Sequence, residues 1–297
     1  MGAGASMGAA KTFEQTNYKR EYDKAKMASN TDELVQQFLV LCDTYVHFHI
    51  LGGQPPEDKA KHDEFVAQNI SKFQDGTPDG VTNVGDLAEI QWTQPLKLQY
   101  HDTNLEMCAL IKRCFINDEP QVMKALAPIC RALNSKMVYN SQQQGGNLKF
   151  PPGGLVYRGS SMPSGQVEFF KSLSSGVKFR LQSYVATSFV RDKAEDFLAR
   201  SLGASPSNDG VIFIIKVNPD GENDQSKVCR NANLITKRAV GLPDESEYLF
   251  TAYSVFRFVD IEISTSPQDP EAPHQITLQA MDDNLDQPPN LPVMGWF

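Results

Sequence analysis

The sequence lacks any apolar run approaching the roughly 18 residues that a transmembrane helix needs, so we expect no membrane span. Its first residues also lack the apolar core of a secretory signal peptide. These two absences favour a cytoplasmic setting.

Cysteine is sparse, with five residues in 297, and no two of them form a Cys-x-x-Cys pair. An odd number of thiols without paired spacing does not suggest a disulfide framework, and we expect buried, reduced side chains. We also expect no metal site. His47 and His49 stand two positions apart in a helical pattern, where their side chains point to different sides.

The chain has no excess of positive charge, because 28 lysines and arginines stand against 36 aspartates and glutamates, for a net charge of −8. This balance argues against nucleic acid as a partner, since nucleic-acid binding favours a basic face. Hydrophobic residues make up 40% and charged residues 22%, as in an ordinary globular protein with a substantial core.

The N-terminus twice fits the pattern for N-myristoylation, at Gly2 and at Gly8. Membrane contact is expected only if one of these glycines is acylated, and a single acyl chain would bind only marginally. Small-residue leaders are also typical of cloning scars, so residues 1–6 could be one, with Met7 as the natural start. We expect the first ~12 residues to be disordered.

The apolar periodicity predicts a helical N-terminal segment over residues 1–80, which ends in the turn-rich stretch Asp75–Gly80. Residues 81–297 are predicted to form a second, catalytic domain. This part begins with two further helices, one of which starts at Pro120 because proline suits the first helical turn.

Beyond these helices the pattern changes to short strands separated by Gly, Pro and Ser turns, which indicates a β-rich core. One helix interrupts it, over Asp192–Arg200. The predicted strands are Leu155–Ser160, Tyr184–Phe189, Gly210–Val217, Tyr253–Ile263 and His274–Ala280.

Glu245 and Glu247 stand one residue apart, just ahead of the predicted strand Tyr253–Ile263. In an extended segment residues i and i+2 share a face, so the two carboxylates would point the same way if the segment is extended. Like charges held this close raise each other's pKa, and such pairs lie where they are solvated or useful.

Three short signals therefore follow one another: a strand ending in Arg158-Gly159, a strand carrying Thr187-Ser188 before a helix, and Glu245-x-Glu247. In this order they resemble the mono-ADP-ribosyltransferases of the arginine–serine–glutamate type, from about Asp102 to the C-terminus. The resemblance implies an α+β fold, in which the N-terminal helical segment precedes an ADP-ribosyltransferase-like β-sandwich core with a helical lobe. It also implies NAD as the substrate. Because toxins and effectors are common in this family, the cytoplasm in which the chain acts would be that of its own cell, or that of a target cell into which it is delivered as an effector.

The resemblance further implies residue roles in the NAD pocket. Arg158 would grip the pyrophosphate with its planar fork, and the backbone of Gly159 would meet the nicotinamide amide. Tyr157, Thr187 and Ser188 would line or brace the pocket, and Ser188 would also support catalysis.

The two glutamates would divide the chemistry. Glu247 would stabilise the positive charge that develops on the ribose as nicotinamide leaves, and Glu245 would hold or deprotonate the acceptor. The sequence departs from the family at Ala186, where a serine usually hydrogen-bonds the catalytic glutamate. Either another group replaces that serine, with Thr187, Ser188 and Ser183 as candidates, or the site is weakened.

Three functions remain open at this point. The first is transfer of ADP-ribose to a protein side chain, with arginine favoured because a glutamate occupies position 245. The second is hydrolysis of NAD, with water as the acceptor. The third is an inactive interaction module that binds through its helical segment. A poly-ADP-ribosyltransferase is disfavoured, because that branch has a histidine where Arg158 stands.

Overall fold

The structure, a computed structural model, describes residues 12–53, 60, 63–64, 67–68, 71, 75, 77–94, 98–100, 103–138, 151–217, 229–242 and 244–295. The two myristoylation patterns, and the expected disorder before residue 12, lie outside these residues. The described chain falls into two compact units. The first comprises Met1–Thr16, Phe150–Asn231 and Ala252–Phe297, and the second comprises Asn17–Lys149 and Ala232–Thr251.

The helices whose bounds the structure describes are α1 (Asn17–Lys24), α2 (Thr31–Tyr45), α3 (Val84–Thr93), α4 (Met107–Asn117), α5 (Pro120–Met137), α6 (Ser164–Ser172) and α7 (Arg191–Ala204). The strands are β1 (Leu98–Tyr100), β2 (Thr103–Leu105), β3 (Leu155–Met162), β4 (Lys178–Leu181), β5 (Val185–Ser188), β6 (Asp209–Lys216), β7 (Ala232–Leu234), β8 (Glu247–Phe250), β9 (Val255–Glu262), β10 (His274–Ala280) and β11 (Val293–Met294). The described residues also include short 3-10 turns and a π-helical turn.

In the first unit the strands are hydrogen-bonded in the order β11-β4-β9-β10-β6-β3-β5. Strand β6 is apolar over nearly its whole length, which suits its central position between β10 and β3. It pairs in parallel with β10 and antiparallel with β3, so the sheet is mixed. Helix α7 packs on β3 with Ala194 and Leu198, which are buried against Ile212 of β6.

In the second unit, helices α1 and α2 pack on the long helix α5. Helix α2 begins at Thr31, where the side chain of Asn30 caps it by accepting a hydrogen bond from the Glu33 backbone N–H at 2.9 Å. Asp118, at the end of α4, accepts hydrogen bonds from the first two backbone N–H groups of α1. This carboxylate therefore holds the start of α1 against the end of α4.

The predicted α+β fold class is confirmed, since helices and a mixed sheet are both present in the described chain. The helix start at Pro120 is confirmed, and the strand predicted over His274–Ala280 has those bounds. The predicted strand Tyr253–Ile263 is wrong at its start. It begins at Val255, because Tyr253 has a left-handed φ of 60° that interrupts extended structure.

The cysteines are free thiols, as expected, and all but Cys108 are fully buried. Burial raises the pKa of Cys42 and of Cys229 to about 12. None of the described helices is long and apolar enough to cross a membrane. The division into domains 1–80 and 81–297 concerns independent folding and stays a prediction.

Candidate active site

Arg158 lies in the middle of β3, opposite Phe213 of β6 in the antiparallel register. Its side chain is half-buried, and its guanidinium donates a hydrogen bond from Nη1 to the backbone oxygen of Ala186 at 2.8 Å. Ala186 therefore contributes its backbone oxygen, and this hydrogen bond orients the Arg158 guanidinium.

The register of β3 and β5 places Tyr157 opposite Ser188. Paired residues share a face and successive residues alternate, so Ser188 lies on the Tyr157 face, while Thr187 lies on the face of Arg158. Both hydroxyl residues are buried. The structure thus brings the five predicted NAD-binding residues together in the first unit, but divides them between the two faces of the sheet.

Helix α7 covers the face that carries Tyr157 and Gly159. A Cβ added at Gly159 would lie 1.8 Å from the backbone oxygen of Ala194 and 2.8 Å from the backbone nitrogen of Leu198. This close approach of helix to strand explains the glycine by packing alone. The predicted contact of its backbone with nicotinamide stays a prediction.

Ser188 also has a local task. Its Oγ accepts a hydrogen bond from the backbone N–H of Val190 at 3.1 Å, just before α7 begins at Arg191. A hydroxyl bonded to the backbone two residues on stabilises the turn that leads from β5 into the helix. Its predicted catalytic role stays a prediction.

Glu247 is the first residue of β8, in the second unit, and is followed by three buried residues. Its Oε1 accepts a hydrogen bond from the indole Nε1 of Trp92 at 2.9 Å. Its backbone oxygen accepts another from Ile235 next to β7, at 2.9 Å. Strand pairing fixes the backbone of the glutamate, and the tryptophan fixes its carboxylate.

Burial raises the pKa of the Glu247 carboxyl above its usual range. The hydrogen bond from Trp92 and the charge of Lys112 oppose this rise, Glu245 adds to it, and Arg238 opposes it weakly. The half-buried Glu247 therefore holds a proton more readily than an ordinary glutamate. This is the type of perturbation found at catalytic carboxylates.

The segment that carries Glu245 is not extended, because Ser246 between the two glutamates has a φ of 50°. The inference that both carboxylates share a face as in a strand therefore does not hold. The turn has a clear cause: Asp244 Oδ1 accepts the Ser246 N–H at 2.8 Å and pairs with Arg238 at 2.7 Å.

Helix α3 holds the whole segment before β8. Buried Glu89 accepts hydrogen bonds through Oε2 from the backbone N–H groups of Thr236 and Lys237, at 3.2 and 2.9 Å. Thr93 accepts the Ala239 N–H at 3.1 Å. Together with Trp92, these side chains stand at helical spacings i, i+3 and i+4, so they share one face of α3.

Sequence reasoning missed Trp92, Glu89, Thr93 and Lys112. Glu89, Trp92 and Thr93 lie at helical spacings in the sequence and Lys112 lies in α4, but no local signal pairs Trp92 with a residue 155 positions later. Among the described residues, no group of three or more His, Cys, Asp or Glu side chains is placed to hold a metal ion.

Comparison with known proteins gave structural similarities only. No protein-family model matches the chain, and no curated protein does. The chain is similar in structure to several solved ADP-ribosyltransferases.

One is the ADP-ribosyltransferase Vis of Vibrio splendidus, 15% identical, with a TM-score of 0.44 over 77% of this chain and 88% of that one. A second is HopU1, an ADP-ribosyltransferase of Pseudomonas syringae pv. Tomato DC3000. It is 12% identical, with a TM-score of 0.41 over 92% of this chain and 99% of that one. The C3 exoenzyme of Clostridium limosum is 16% identical, at 0.39 over 73% and 93%. Similarity of this degree assigns no role to any residue.

Proposed function

We propose that the chain transfers ADP-ribose from NAD to a protein side chain and releases nicotinamide. The observation that carries the proposal is Glu247, a half-buried carboxylate with a raised pKa, fixed by the indole of Trp92 at 2.9 Å. A carboxylate positioned in this way stabilises a cationic sugar at little reorganisation cost.

The reaction breaks the bond between the nicotinamide nitrogen and the anomeric carbon of its ribose. The bonding electron pair leaves with nicotinamide, and positive charge develops on the ribose as in glycoside hydrolysis. Glu247 stabilises that charge. A nucleophilic nitrogen of the acceptor then forms the new bond to the anomeric carbon and loses a proton.

Arg158 would bind the pyrophosphate, because a guanidinium matches phosphate oxygens bidentately. Its hydrogen bond to Ala186 supports this role, since the bond orients the planar group. The proposal requires Arg158 and Glu247 to act on the same NAD molecule.

Arginine is the favoured acceptor. Glu245 is a half-buried carboxylate two residues before Glu247, and it adds to the raised pKa of that residue, which indicates that the two charges interact. A carboxylate at this position could pair with the guanidinium of an incoming arginine and accept its proton.

The test is incubation with NAD labelled on its adenylate part, with nicotinamide release measured in parallel. Label on protein supports transfer, whereas label recovered only as free ADP-ribose indicates a glycohydrolase. Mass spectrometry of the labelled protein identifies the acceptor residue, and modification of a residue other than arginine would contradict the favoured acceptor.

Glu247→Gln should lower kcat by about 100- to 1,000-fold, because it removes the charge while keeping an oxygen that can accept from Trp92. Glu168→Gln is the matched control, since Glu168 is an exposed carboxylate on α6, paired with Lys171. It should turn over NAD at the parental rate. A Glu247→Gln protein as fast as the parent would end the assignment.

A further inference from the structure

The Trp92–Glu247 contact joins a helix to the first residue of a strand. The indole N–H can only donate, so the direction of the hydrogen bond is settled and the carboxylate is its acceptor. A bond of 2.9 Å to a carboxylate is in the range of charge-assisted hydrogen bonds, which are stronger than neutral ones.

Trp92 is itself held firmly. Its side chain is 2% exposed, on a helix whose residues Ala88 and Ile90 are also buried. The same helix face binds the segment before β8 through Glu89 and Thr93. One rigid helix therefore sets both the position of the segment and the orientation of the carboxylate.

We propose that Trp92 is a positioning residue, which holds the Glu247 carboxylate through its indole N–H in the role left open by alanine at position 186. This inference rests on the proposed function, because orientation matters to the reaction only if Glu247 acts on NAD.

The charged and titratable groups around Glu247 come from two further elements of the second unit. Helix α4 contributes Lys112, whose Nζ lies 5.7 Å from the centre of the Trp92 ring, and Cys108, whose pKa is raised first by burial and also by Glu247. The segment before β8 contributes Glu245 and Arg238. Of the groups that favour the ionised glutamate, Trp92 has the largest effect.

Trp92→Phe keeps an aromatic ring in the site and removes the N–H donor. Because the donor favours the ionised form of Glu247, its loss raises the pKa of that carboxyl further. The acid limb of kcat/KM should then move to higher pH, and kcat should fall by about tenfold or more, with a smaller change in KM for NAD.

A purely structural role for Trp92 would lower the rate at every pH and leave the limb in place. Tyr22→Phe is the control for a lost buried hydrogen bond elsewhere in the second unit, since it removes the acceptor of the Asn134 amide, 3.0 Å away. That variant should leave the position of the acid limb unchanged. A Trp92→Phe profile with an unmoved limb would overturn the proposal.

A second readout needs no activity. The chain has two tryptophans, Trp92 and Trp296, so in a ¹H–¹⁵N NMR spectrum a Trp296→Phe variant assigns the indole N–H signal of Trp92 without any substitution at Trp92. In the parent, the Trp92 signal should titrate with the midpoint of Glu247, and in Glu247→Gln this titration should disappear. An indole signal that titrates identically in both proteins would refute the contact, even if Trp92→Phe failed to fold.

The two readouts separate the two claims. A parent protein that releases no nicotinamide, while its Trp92 signal titrates with Glu247, would overturn the proposed function and leave the contact standing. A parent that releases nicotinamide, while that signal does not respond to Glu247, would overturn the role of Trp92 alone.

Discussion

Replacing Gly159 by alanine tests the contact between β3 and α7 that positions the arginine strand. The added Cβ would stand 1.8 Å from the backbone oxygen of Ala194, against an ordinary contact of 3.4 Å. The obstacle is helix backbone, which cannot rotate away as a flexible side chain would. The helix must therefore shift by about 1.6 Å, and the cost should reach the upper end of overpacking, about 3 kcal/mol or more.

Thermal unfolding followed by circular dichroism measures this cost. A loss of about 3 kcal/mol should lower the midpoint by about 6–12 °C. Gly203→Ala is the matched control, because Gly203 lies in α7 with nothing within 4 Å of its added Cβ. It should be neutral or stabilising by about 0.5–1 kcal/mol. Equal midpoints for Gly159→Ala and the parent would refute the packing explanation of Gly159.

Two further substitutions test other parts of the site. Arg158→Lys should lower kcat/KM for NAD by about 10- to 100-fold, because an ammonium cannot pair bidentately with the pyrophosphate. The rate of nicotinamide release measures this change in kcat/KM. An unchanged value would contradict the role of Arg158. Burial raises the pKa of Glu89, so the stability tied to this group is present below its unfolded-state pKa of about 4.3 and is lost as pH rises through the folded-state value. Urea unfolding should therefore show that the free energy of unfolding of the parent, relative to that of Glu89→Gln, declines as the pH rises above the unfolded-state pKa of Glu89. A constant difference would contradict the burial of an ionisable carboxyl.

Local sequence patterns were sufficient to predict helices and strands that are determined mainly by the composition of their own residues. The strands around Arg158 and at His274–Ala280 were predicted from apolar composition and turn residues, and both are present. The helix predicted over Asp192–Arg200 extends to Arg191–Ala204, since sequence patterns locate the middle of a helix better than its ends.

Tertiary contacts decided what the sequence could not show. Tyr253 is an apolar residue in a strand-like run, yet it adopts a left-handed conformation and is fully buried, with its ring 4.8 Å from that of Phe13. Likewise, the turn at Ser246 depends on an aspartate side chain that bonds to the backbone. The inference that side chains alternate between two faces assumes an extended backbone, and the backbone is not extended at Tyr253 or at Ser246.

Part of the candidate site could be predicted from the sequence. Arg158 and Glu247 were predicted as site residues because their neighbours form short recognisable motifs. Trp92 was not, since no local rule links a helix residue to a glutamate so far along the chain. The alanine at position 186 indicated that either another group replaces the serine or the site is weakened, and the contact of the Trp92 indole with Glu247 was visible only in the structure.

The most direct test of the account is a crystal structure of the chain with a NAD analogue that resists cleavage. We predict one bound dinucleotide, with pyrophosphate oxygens hydrogen-bonded to the Arg158 guanidinium and a hydroxyl of the nicotinamide ribose hydrogen-bonded to Glu247, which still accepts from Trp92. A dinucleotide that contacts only one of Arg158 and Glu247, or neither, would contradict it.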